Sequence, residues 1–173
     1  MKNLYLKIID VFKTDETKQR FIDKELTPVN HVDFYRGQDY NQAEAHNFPA
    51  LFVKWSVDYT QSPPSAILTF RVAWEQLRDT SSTNPTPKKS LKFIDFINLV
   101  DEILKEIETE HTSKFTLLNE ELNVEDTIVD SHTLSYRCSY TGKSKIAKIE
   151  YKKGSIESLN ENGHLITRFP VGN

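Results

Sequence analysis

One cysteine, Cys138, stands alone in 173 residues, which excludes an internal disulfide and any zinc site built on cysteines. Only five glycines are present. None falls in a phosphate-cradling loop, and no G-x-S-x-G elbow exists. Long apolar runs are missing too. The opening MKNLYLKIIDVFK carries charges at Lys2, Lys7, Asp10 and Lys13, too closely spaced for a secretory leader. No stretch approaches the roughly 20 apolar residues that cross a bilayer. Basic excess is lacking as well: a net charge of −3 argues against a general nucleic-acid binder. A single cytoplasmic domain over residues 1–173 is the expectation, with a core in about 1–142 and a C-terminal strand extension over 143–173.

What is present is periodic. Leu4, Ile8, Val11 and Phe12 form the apolar stripe of an amphipathic helix. Phe21, Ile22 and Leu26 extend it or make a second short turn. From Pro28 to Asn47 no period is sustained, and a loop with a short strand at His31–Tyr35 is expected. The period then becomes two. Leu51, Val53, Trp55, Val57 and Tyr59 share one face, and after two prolines Ala66, Leu68, Phe70, Val72 and Trp74 share another. An antiparallel pair with one dry face follows.

Arg78–Ser90 is the longest polar stretch and predicts a mobile loop that orders in an assembly. Ser90 then caps a helix from Leu91 to about Glu110, whose Phe93, Phe96, Ile97, Val100, Ile103, Leu104 and Ile107 suit it to cover a sheet. His132, Leu134, Tyr136, Cys138 and Tyr140 make a further strand. Ala147, Ile149 and Tyr151 make another, followed by a turn at Asn162-Gly163. The pattern predicts an α+β fold: a mostly antiparallel sheet packed on one face by an N-terminal helix and a long central helix. The core list is Leu51, Val53, Trp55, Val57, Leu68, Phe70, Val72, Phe96, Val100 and Ile103.

Several constellations invite chemistry. His31-x-Asp33 and Glu44-x-His46 have a spacing that places two ligands on one strand face, but the pairs stand apart in a stretch without period. Solvated loop residues are the preferred reading. Asp130, Ser131 and His132 suggest a hydrolase, yet sequence neighbours on a strand point to opposite faces, so Ser131 and His132 do not pair as nucleophile and base. Cys138 falls on an apolar face and reads as an inert buried thiol. No catalytic, metal or cofactor site is assigned.

Charge and aromatics point instead to contacts. Asp95–Asp126 holds ten acidic residues against Lys105 and Lys114, a balance of −8, while Arg137–Lys153 holds six basic residues against Glu150, a balance of +5. Two complementary surfaces suit head-to-tail assembly; ordinary solvated faces are the alternative. Phe34, Tyr35 and Tyr40 beside Arg36 have the composition of an interface, or tuck under the sheet as a satellite core. With Arg78, Lys88 and Lys89 of the polar stretch they make up the candidate contact residues.

The order of elements carries a resemblance. An N-terminal helix, a polar stretch entering a strand pair through FPALFVKW, a long polar loop, the helix LKFIDFINLVDEILKEI and the late strand TLSYRCSYTG resemble the tail-terminator and tail-completion proteins of tailed bacteriophages and prophages. The likeness covers about residues 1–142. It implies a non-enzymatic structural protein of the virion tail or the bacterial host cytoplasm, without cofactor, membrane or specific nucleic acid. It further implies a hexameric ring that contacts tail tube protein on one side and a head-side connector protein on the other. A monomeric adaptor module of a mobile element is the second reading, and a metal-dependent hydrolase using His31, Asp33, Glu44 and His46 ranks last.

Overall fold

A computed structural model of the chain describes residues 1–40, 48–74, 80–123 and 129–143. Two helices open it. α1 (Lys2–Lys13) buries Leu4, Ile8 and Phe12, the i, i+4, i+8 stripe read from the sequence. Thr14 both ends it and starts the next helix. Its hydroxyl donates to the Val11 carbonyl (3.0 Å) and accepts from the Thr17 amide (3.2 Å), capping α2 (Asp15–Asp23). Asp15 and Glu16 in that first turn complement the helix dipole.

A five-stranded sheet follows, formed by β1 (His31–Phe34), β2 (Ala50–Asp58), β3 (Ser65–Trp74), β4 (Thr116–Leu122) and β5 (Asp130–Ser139), in the order β1-β2-β3-β5-β4. β1 runs parallel to β2, and every other neighbouring pair is antiparallel. The fold is α+β with a mostly antiparallel sheet. Val53 faces Phe70 and Trp55 faces Leu68 across β2 and β3, while Leu68 faces Tyr136 and Phe70 faces Leu134 across β3 and β5. Matching the dry face of each strand to its neighbour's fixes this register, since a slip by one residue would turn every apolar side chain outward. β2 stops where Asp58 turns back to accept from the Thr60 amide (2.8 Å) and hydroxyl (2.6 Å), ahead of Pro63 and Pro64.

Helices cover one sheet face. α4 (Lys92–Glu106) buries Phe93, Phe96, Ile97, Leu99, Val100, Ile103 and Leu104 against it, and with α1 and α2 completes the main core. Each large side chain so buried contributes about 1.5–3 kcal/mol. Tyr136, fully buried beneath α4, donates its hydroxyl to Asp101 (2.7 Å). On the outside, Arg20 grips Glu106 through two hydrogen bonds (3.0 and 3.1 Å), tying α2 to α4. The opposite sheet face carries a much smaller cluster, Ala50, Phe52, Ala73 and Val129, with Tyr35 and Phe48 against it.

Several expectations need correction. Trp55 and Val57 of the core list are only partly buried, because they stand on β2 beyond the point where β1 ends. Ser90 does not cap the long helix. It closes a separate short helix, α3 (Pro87–Ser90), held by Asn84, whose amide donates to the Ser90 hydroxyl (2.7 Å), so part of the polar stretch read as loop is helical. α4 also ends at Glu106, short of Glu110. The strand read at Ala147–Tyr151 and the turn at Asn162-Gly163 lie outside the described residues, as do Glu44, His46 and Arg78.

Candidate functional site

The polar stretch that the sequence singled out is the outer end of the sheet. In β1, His31 and Asp33 share the face away from the helices, while Val32 and Phe34 share the helix face. Asp33 is heavily engaged. Its Oδ1 accepts from the Phe34 amide (2.7 Å), and its Oδ2 accepts from the Arg36 guanidinium and from Gln38 (3.5 Å), with His31 Nε2 at 3.8 Å. Gln38 closes the turn by donating to the Phe34 carbonyl (2.7 Å) and accepting from the Arg36 amide (2.7 Å). The pair His31 and Asp33 thus does share a strand face, but its carboxylate is the hub of a turn. Among the described residues no group of three or more metal-binding side chains comes together.

Two residues that sequence reasoning overlooked hold this turn to the sheet. Asp39 is completely buried and bonds the guanidinium of Arg71, which rises from the middle of β3. Arg71 also lies over the Tyr35 ring, 5.2 Å from its centroid. Burying the carboxylate is costly unless it is paired, and the guanidinium supplies that pairing. The only available signal was a lone arginine on the wet face of a strand, which is ordinary, and a single aspartate in a loop carries none.

The aromatic candidates therefore divide. Tyr35 packs into the small cluster against Phe52 (ring centroids 6.4 Å apart), the satellite-core reading. Phe34 stays 41% exposed and stacks on Tyr5 of α1 (centroids 4.1 Å), with Trp55 edge-on at 5.2 Å. Arg36, Lys88 and Lys89 are exposed, the two lysines on α3. Tyr40 closes a short 3-10 turn, Gln38–Tyr40, but its side chain lies outside the described residues.

Alternation separates the second constellation. Ser131 points to the face away from the helices, where its hydroxyl accepts from Asn123 (3.3 Å). His132 points to the helix face, buried, with Glu120 of β4 at 3.7 Å and neither ring nitrogen hydrogen-bonded among the described residues. Burial holds its pKa below the ordinary value, against the pull of Glu120. Asp130, two residues earlier, is pushed up by burial. Cys138 lies in the main core, where burial pushes its thiol up to about 11, so little thiolate exists near neutral pH.

The surfaces are resolved by the fold. Three acids of the acidic segment are paired with cations: Asp101 with Lys105, Glu102 with Arg20 and Lys24, and Glu106 with Arg20. Away from β1, no described element covers the sheet's second face. Lys54, Ser56, Ile67, Thr69, Ser135 and Arg137 share it, and Ile67 remains 39% exposed between two cations. No protein-family model matches the chain, and no curated protein is significantly similar to it. Among the described residues, no helix is long and apolar enough to cross a membrane.

Proposed function

We propose that this chain is a non-enzymatic structural protein that works by docking to other protein chains, its own copies included. The half-open sheet carries the reading. Helices fill one face, while the other presents, among the described residues, strand hydroxyls, the cations Lys54 and Arg137, the acids Asp58 and Glu121, and one exposed isoleucine. Such an exposed strand surface suits docking against another protein chain. The side chains most suggestive of chemistry have structural work: Asp33 organises a turn, Asp39 and Arg71 lock it to the sheet, and Cys138 packs in the core.

The element order makes a more specific version natural: a terminator-like protein of a phage or prophage tail, assembled as a ring of six between tail tube protein and a head-side connector, in the host cytoplasm or the virion. Phe34, Arg36, Lys88 and Lys89 are exposed and available to such partners. Genes for tail tube and connector proteins flanking this one, with rings visible by electron microscopy of the concentrated protein, are the expected findings. A chain that stays monomeric at every concentration and captures one unrelated partner would favour the adaptor reading.

A further inference from the structure

We infer that the open sheet face of one copy receives the outer surface of α4 from the next. This rests on the assembly reading above and names its contact. The two surfaces lie on opposite sides of the sheet, so the contact is head-to-tail and leaves each copy one free surface of each kind.

α4 buries most of its apolar residues, yet Leu91, just before it, and Ile94 are 46% and 44% exposed. They begin a stripe that continues through Asp95, Asn98 and Glu102, all exposed on the side away from the sheet. Asp95 and Glu102 are two turns apart, about 10.5 Å along the axis. On the open face, Lys54 aligns with Thr69 and Ser135 across β2, β3 and β5, and Arg137 stands two residues beyond Ser135. Two strand spacings and two residue rises separate Lys54 from Arg137 by about 12 Å. The cation pair thus matches the acidic pair to within about 2 Å. Ile67, directly opposite Arg137, offers Ile94 an apolar partner, and Thr69 offers Asn98 a hydroxyl.

Neither Asp95 nor Arg137 makes an ion pair among the described residues, whereas Glu102 already shares Arg20 and Lys24. Asp95 and Arg137 are therefore the pair to exchange. A contact resting on exposed charges and a few apolar side chains is weak, so association depends on concentration. Ring closure, which leaves no copy with an unfilled contact, is what makes it persist.

Sedimentation velocity of the full chain over a concentration series tests this, with thermal melts confirming that each variant folds. Asp95→Arg and Arg137→Glu should each weaken self-association by roughly threefold or more, and the double variant should restore it. Self-association that neither single variant weakens, or that the double variant fails to recover, would overturn this contact and leave the assembly reading standing. A strict monomer at all concentrations would remove both.

Discussion

Trp55 and Phe70 are both large aromatics on a dry strand face, yet the fold gives them different weight. Phe70 is fully buried between Phe115 and Tyr136, so Phe70→Ala should cost about 3–5 kcal/mol in a denaturant titration. Trp55 is only partly buried, and Trp55→Ala should cost distinctly less, roughly 1–3 kcal/mol. The buried pair behaves differently again. Asp39→Ala removes the carboxylate of the buried Asp39–Arg71 pair and should destabilise by about 3–5 kcal/mol, whereas a second change, Arg71→Met, should recover much of the loss. His132 supplies the pH dependence. Its pKa lies lower in the folded chain than the ordinary 6.5 or so, so above that pH both states are neutral and nothing is lost. As pH falls below it the unfolded chain takes up the proton first, and stability drops until the folded pKa is passed. Asp130 works in the opposite sense: its raised pKa means stability is gained as pH falls through that value toward the ordinary carboxylate range. Melts of His132→Leu between pH 7 and pH 5 should show a flatter loss than the unchanged chain.

At the scale of elements, strand period and helix stripe made β2, β3, β5, α1 and α4 legible, because each buries one continuous apolar face. β4 was not legible. Its residues are exposed except for the half-buried Leu117, and a bulge between Leu117 and Asn119 breaks the alternation that would have marked it. β1 was visible as a short strand, but nothing in four residues reveals that it pairs parallel to β2. The candidate site was half legible for a similar reason. His31, Asp33, Phe34, Tyr35 and Arg36 announced themselves by composition, while the Asp39–Arg71 pair joins residues 32 positions apart and leaves no local trace. Amide exchange should rank these elements by their place in the sheet. β3, paired over ten positions with β5 and nine with β2, should be slowest, and the edge strands β1 and β4 should be fastest. Equal protection of β4 and β3 would mean that a further partner covers that edge.

For the whole molecule, the charge segments of the sequence overstated the contrast between surfaces, since α2 and α4 neutralise several acids internally. What remains, among the described residues, is a helical side and an exposed sheet side, the two surfaces that the proposed head-to-tail contact joins. Exposed ion pairs contribute only about 0.2–1 kcal/mol each and are screened by salt, so apolar contact must supply most of the affinity. The proposed assembly predicts a free protein that is monomeric when dilute and associates as concentration rises, more readily at low salt. Light scattering of the full chain across a concentration series at low and high salt tests that claim most directly. A mass that climbs from one copy toward six, with the climb shifted to higher concentration by salt, is the predicted result. A two-fold dimer of constant mass at every concentration would contradict it, because a contact that pairs identical patches leaves no free face from which a ring could grow.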